Sequence, residues 1–343
     1  MHMELKNINE RMKNYHVLGL STALINRGQI SETKCFGVLE AGTDRKVDCD
    51  SIFSACSVSK FVTSMLIMKL VEQSILDLDE DVNNRLTTWK VANNECTKRK
   101  KVTLRNLLSH QSGIIDPKAS FCELDVSKTL PEMVEILAGR SLYCKESIKV
   151  TYEPESDFQY SDAGFCVIQQ LIEDIFAKPF ELVIKEQIFE PLNMKNSTVE
   201  QTITISDNFS CGHNKNGHIV KGKYPIYPYP AACGLWTTPS DLAILVMELI
   251  NSLKDDSILG LSTSQAKDMM TSQGGKAWTG LGVFLDGSEH ELEISSLGWG
   301  VGFQCMMVAS PFLETGAVIM TNAELGVHQM DGIIGEIYKS LKS

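Results

Sequence analysis

Two residues raise the first chemical possibility. In Phe53-Ser54-Ala55-Cys56-Ser57-Val58-Ser59-Lys60 a serine precedes a lysine by three positions, at the mouth of a long apolar helical run. That spacing puts both side chains on one helix face, a turn apart. An amine so placed can take the proton from a hydroxyl, which a serine nucleophile requires. Alone the pattern is weak, because in many helices such a serine is a cap and such a lysine is solvated. A second segment, Phe158-Gln159-Tyr160-Ser161-Asp162-Ala163-Gly164-Phe165, falls in a turn before a helix, where a tyrosine hydroxyl can be presented to a cleft. Taken alone, a tyrosine there is more often a packing residue. A third, Ser296-Leu297-Gly298-Trp299-Gly300-Val301-Gly302-Phe303, reads as a glycine-rich strand edge that lets a ligand approach the backbone.

The elements that must position these residues follow from periodicity. Residues 4–14 read as a short amphipathic helix, and Leu18–Ile25 and Cys35–Leu39 as strands joined by a turn at Asn26-Arg27-Gly28. Apolar Met65, Leu66, Met68, Leu70 and Val71 predict a buried helix over 61–73. Residues 82–250 read as mostly helical, with helices over 130–137, 164–175, 179–188 and 240–250. The prolines of Tyr224-Pro225-Ile226-Tyr227-Pro228-Tyr229-Pro230 predict an extended aromatic loop. Strand patterns return over 278–285, 291–297, 303–309 and 317–321, and 330–341 closes the chain as a helix. Strands at both ends with helices between predict an α+β sandwich: one antiparallel sheet built from N- and C-terminal segments, flanked by helices, beside a mostly helical inserted domain. The expected division is 1–60 with 255–343 for the sheet domain and 61–254 for the insert, with the active site at their interface.

Bulk properties exclude several functions. The 343 residues are 43% apolar, ordinary for a globular chain, and no run of about eighteen apolar residues suggests a membrane span. A net charge of −11 argues against a nucleic-acid surface, and the one basic cluster, Lys98-Arg99-Lys100-Lys101, reads as a solvated face. The ten cysteines form no Cys-x-x-Cys pair and none has zinc-finger spacing. Free thiols and the absence of a signal-like stretch in Met1-His2-Met3-Glu4-Leu5-Lys6 predict a cytoplasmic protein, or a cell-envelope or secreted one if a signal peptide has been removed. His213 and His218 read as a polar turn rather than a metal site.

Together the motifs resemble the serine β-lactamase and penicillin-binding protein superfamily, in its class C and esterase branch. Val102–Gly113, Ile188–Met194 and Ala232–Asp241 are similar to further family blocks, in the family's order, so that the resemblance runs from about Ile52 to Asn322. It implies a β-lactamase/transpeptidase-like fold and a small ester, amide or peptide-like substrate. Neither a metal nor an organic cofactor is implied, and neither nucleic acid nor membrane insertion. By the same resemblance Ser57 is the acylated nucleophile and Lys60 its base or proton relay. Tyr160 is the proton shuttle to the leaving group and the later activator of water. The backbone N–H groups of Ser57 and Trp299 form the oxyanion hole. His110 matches a structural family position. Tyr224, Tyr227 and Tyr229 either line the cleft, Tyr227 then touching substrate, or pack on one another. Desolvation among apolar neighbours would leave Lys60 partly neutral near pH 7.

Two boxes depart from the family pattern. Where the family has Tyr-x-Asn this chain has Tyr160-Ser161-Asp162, and a carboxylate favours a charged lysine and cannot donate when ionised. Where the family has Lys-Thr-Gly or His-x-Gly, Ser296-Leu297-Gly298 offers no cation to a substrate carboxylate. The favoured reading is therefore an esterase or amidase that forms an acyl-enzyme on Ser57, with Asp162, Ser296, Gly298 and Tyr227 on the substrate side. The rivals are a penicillin-binding D,D-peptidase or β-lactamase, and a catalytically silent binding or scaffold protein.

Overall fold

Alternation along the strands decides the layers. The computed structural model describes residues 7–201 and 208–342. Its strands are β1 (Gly19–Asn26), β2 (Gln29–Gly37), β3 (Phe53–Cys56), β4 (Leu235–Thr237), β5 (Phe284–Asp286), β6 (Glu293–Gly300), β7 (Phe303–Ser310) and β8 (Thr315–Thr321). Six of them form one antiparallel sheet in the order β2-β1-β8-β7-β6-β5, so N- and C-terminal segments share a sheet as the sequence predicts. The expected turn is present: Arg27 and Gly28 both take positive φ, 53° and 67°, as a two-residue hairpin of this hand demands.

The helices are α1 (Ile8–Asn14), α2 (Ser59–Glu72), α3 (Leu104–Leu108), α4 (Met133–Leu137), α5 (Asp162–Phe176), α6 (Phe180–Ile184), α7 (Pro230–Cys233), α8 (Pro239–Ser252), α9 (Thr263–Met269) and α10 (Ile333–Leu341). On one sheet face Leu20, Leu24, Met306, Val308, Ala317 and Ile319 pack with residues of α1 and α10. The neighbouring positions Ala23, Ile25, Cys305, Met307, Val318 and Met320 point the other way into the main core with α2 and α8, the period-two signature of a sheet buried on both sides. Arg11 and Tyr15 clamp α1 to α10 through Glu336, with Arg11 Nε at 2.7 Å and the Tyr15 hydroxyl at 2.8 Å.

Helix α2 is buried at every position from Ser59 to Leu70, so it runs through the centre of the molecule and carries Lys60 inside. Helix α8 lies on β1, β2 and β8. Two details differ from the sequence reading. Strand β3 pairs with β4 as a separate two-stranded ribbon, a long-range pairing that periodicity does not reveal. Of the strand expected over 278–285 only Phe284 and Leu285 belong to β5, because the chain bends at Gly282 (φ 74°), whose Cβ would lie 1.8 Å from Ser64 Oγ of α2. The basic cluster is a solvated, ion-paired face: Lys98 meets Glu95 at 2.7 Å, Arg99 meets Glu153 at 2.5 Å and Lys100 meets Glu155 at 2.5 Å. No helix among the described residues is long and apolar enough to cross a membrane.

Candidate active site

Ser57 stands on a sharp passage from strand to helix. The residue before it, Cys56, is buried and has φ 48°, a left-handed conformation that a side chain adopts at a cost of about 1–3 kcal/mol. Ser59 fixes the turn from inside: its hydroxyl donates to the Cys56 carbonyl at 2.6 Å and accepts from the Gly234 and Leu235 N–H groups at 3.0 and 2.9 Å. The turn is thereby tied to the junction of α7 and β4.

One helical turn on, Lys60 is 2% exposed. Lys60 Nζ donates to Ser57 Oγ at 3.1 Å and to the Ala232 carbonyl at 2.9 Å, and it forms an ion pair with Asp162 Oδ1 at 2.6 Å. The ring of Tyr160 lies beneath it, 4.8 Å from Nζ to the centroid, and that of Phe165 at 5.6 Å. Burial works against the charge on Lys60, but the Asp162 carboxylate outweighs it and holds the amine above its ordinary range. The expected partly neutral lysine is thus corrected: in this arrangement Lys60 is a charged donor to Ser57, for the reason that the replacement of an amide by Asp162 suggested.

Asp162 opens α5, which Ser161 caps through its hydroxyl on the Gly164 N–H at 3.1 Å. Asp116, which the sequence reading missed, accepts from Ser161 Oγ at 2.8 Å and from the N–H groups of Asp162 and Ala163 at 3.0 and 2.9 Å. Burial, and then the Asp162 charge, push the Asp116 carboxyl up. It comes from an irregular stretch with no motif of its own, so nothing local marks it. The Tyr160 hydroxyl lies beside Lys60 and Ser57; burial raises this phenol, Lys60 opposes, and the tyrosine stays protonated.

His110 stacks on Tyr160 at 4.3 Å between centroids, and its Nδ1 accepts from the Ser161 N–H at 3.2 Å, so it positions the tyrosine. Burial and the nearby Lys60 charge push its pKa down to about 3. The unfolded chain protonates this residue below about 6.5 while the folded one does not. Stability is therefore expected to fall as the pH drops from about 6.5 toward 3. In urea melts, His110→Gln should flatten this loss by about 2 kcal/mol between pH 7 and 5. An unchanged slope would show that other groups control acid sensitivity.

The opposite wall is β6. Its pairing with β7 closes at Gly300–Phe303, over the turn Val301-Gly302, so alternation turns the Trp299 N–H away from β7. Strand β5 pairs only as far as Ser295, which leaves that edge of β6 open from Ser296 to Gly300. Two glycines let β6 approach the turn that carries Ser57. A Cβ on Gly298 would lie 2.3 Å from the Ala55 carbonyl oxygen, and one on Gly300 would lie 2.8 Å from Cys56 Sγ. Gly298→Val should therefore force β6 off β3, costing about 1–3 kcal/mol in denaturant unfolding together with most activity. Wild-type stability in that variant would show that the two strands can separate freely.

Ser57, Lys60, Tyr160 and Ser296 converge on a cavity of about 20 Å³, closed by Leu108, His110, Gly282, Val283 and Leu297 among others. That is room for roughly one water. Tyr227 does not line it. The tyrosine is buried, and its hydroxyl accepts from the Val301 N–H at 3.0 Å, supporting the turn beyond Trp299. Tyr229 is buried too and donates to the carbonyls of Phe121 and Cys122. His213 is fully buried, with Nδ1 on the Asn322 carbonyl at 2.8 Å and Nε2 accepting from the Ala41 N–H at 3.1 Å, while His218 belongs to the neighbouring turn. Among the described residues no cluster of His, Cys, Asp and Glu could hold a metal ion.

A serine–lysine–tyrosine centre between an antiparallel sheet and a helical region defines a β-lactamase/transpeptidase-like protein. The beta-lactamase family model matches residues 6–334, and the chain belongs to that family of serine hydrolases. Protein flp of Staphylococcus aureus (strain MW2) is 23% identical over 226 residues, which are 66% of this chain and 42% of that protein. The chain thus spans less than half the length of this curated relative. Among solved structures, the octameric penicillin-binding protein homologue from Pyrococcus abyssi superposes with a TM-score of 0.77 at 22% identity, covering 98% of this chain and 76% of that one. The D-amino acid amidase from Ochrobactrum anthropi SV3, complexed with D-phenylalanine, gives 0.74 at 20% identity and covers 98% and 99%.

Proposed function

We propose that this chain is an esterase or amidase for small acyl substrates, working through an acyl-enzyme on Ser57. The observation that carries the reading is Lys60 Nζ 3.1 Å from Ser57 Oγ, buried and beside the Tyr160 hydroxyl. In the reaction Ser57 Oγ attacks the substrate carbonyl and its proton passes to Lys60, once that amine is neutral. The N–H groups of Ser57 and Trp299 hold the developing oxyanion. Tyr160 hands a proton to the leaving alcohol or amine, and then helps a water attack the ester formed on Ser57. The cavity at this centre suits such a water.

Substrates without a carboxylate fit best. Among the described residues lining the cavity the one lysine, Lys60, is paired with Asp162, and Ser296 brings no cation to the opposite wall. This weighs against the D,D-peptidase or β-lactamase reading. The test is hydrolysis of neutral short-chain p-nitrophenyl esters beside incubation with penicillin. Turnover that depends on Ser57, with no stable penicillin adduct by mass, is the expected result; a stable adduct without ester turnover would favour the penicillin-binding reading.

The silent-scaffold reading has one observation behind it, the Lys60–Asp162 pair that keeps the base charged. It predicts no turnover from either wild type or Ser57→Ala at any pH.

A further inference from the structure

Away from the candidate site, two thiols meet at the free edge of the sheet. Cys35 lies on the outermost strand, β2, opposite Ser21 of β1. Cys49 lies in the segment between β2 and β3, and its Sγ is 3.8 Å from that of Cys35. Cys49 also sits 3.7 Å from the hydroxyl of Thr33, two residues before Cys35 and so on the same strand face. Ordered backbone holds this placement. The Val47 N–H donates to the Gly37 carbonyl at 3.2 Å, and the Leu39 N–H to the Arg45 carbonyl at 2.8 Å. Asp48 Oδ1 accepts from the Ser51 hydroxyl and from Asn208 Nδ2, each at 3.0 Å.

We propose that Cys35 and Cys49 are a reversible disulfide site, closed by a small-molecule disulfide of the glutathione type. A disulfide bond is about 2.05 Å long, so the sulfurs must approach by about 1.8 Å. Side-chain rotation at exposed Cys49 can supply that movement. Cys49 is the exposed thiol of the pair and so the first to meet the oxidant, while burial pushes the half-buried Cys35 thiol up to about 11. The Cys49 thiolate attacks oxidised glutathione and releases one glutathione thiolate. The Cys35 thiolate then attacks the Cys49 sulfur of the mixed disulfide and releases the second. Two protein thiols and one oxidised glutathione thus become one protein disulfide and two reduced glutathiones, with no other oxidant. The bond would staple the edge strand to the segment that enters β3 and shield that edge from pairing with other chains.

The full-length protein, reduced and then treated with oxidised glutathione, should be alkylated, digested without reductant and mapped by mass spectrometry. A Cys35–Cys49 linked peptide is expected, reversed by dithiothreitol and accompanied by a rise in melting temperature of about 5 °C. Cys35→Ser should instead accumulate a stable glutathione adduct on Cys49, and Cys49→Ser should give no linked peptide. A wild-type protein that keeps glutathione on Cys49, or leaves both thiols open to alkylation, would overturn the proposal. So would a cross-link that joins Cys49 to another cysteine.

Discussion

Ser57→Ala is expected to lower ester turnover by about 10⁴- to 10⁶-fold, the range seen when a serine nucleophile is removed from an otherwise intact site. The fold should tolerate the change. The Ser57 hydroxyl accepts from Lys60, and in the variant Lys60 keeps the Ala232 carbonyl and Asp162. The strained turn is held by Ser59 and is untouched by the substitution. Matched melting curves and p-nitrophenyl ester rates for wild type and variant are the measurement. Retention of turnover in a folded Ser57→Ala protein would falsify the acyl-enzyme assignment, and absence of turnover in both would move the silent reading to first place.

The second large effect concerns Asp162. Its carboxylate, 2.6 Å from Lys60, raises that amine against the pull of burial. Only a neutral lysine can take the Ser57 proton, so wild-type activity should climb with pH and remain on its rising limb into the alkaline range. Asp162→Asn keeps an acceptor for the lysine but removes the charge, and burial then lowers the amine with its strongest opponent gone. The rising limb should move to lower pH, with kcat/KM near pH 7 up by about tenfold for each unit of that shift. Profiles of kcat/KM between pH 6 and 10 for the two proteins decide it. A lower rate in the variant with an unmoved limb would mean that Asp162 itself receives the proton, and that its presence is part of the chemistry rather than a handicap.

Ser57 and Lys60 were visible as a spacing on a helix, and Tyr160 as a motif before one, because local geometry fixes such neighbours whatever the rest of the chain does. The hairpin at Arg27-Gly28 and the alternating strands were visible for the same reason. Asp116 and the Ala232 carbonyl were not: they come from a loop and a short helix far along the chain, and only packing brings them to α5 and Lys60. Tyr227 shows the limit from the other side, since its loop was legible but its partner, the Val301 N–H, was not.

The sheet built from both chain ends, the buried helix that carries the lysine, the order of the boxes and the two places where they are altered are legible in the residues. All of these depend on residue type, period and order. Packing settles the 2.6 Å ion pair of Lys60 with Asp162, the closeness of β6 to β3 and the meeting of Cys35 with Cys49. Each is set by distances of a few ångströms between segments remote in sequence, where burial and one neighbouring charge pull in opposite directions and only their separation says which prevails.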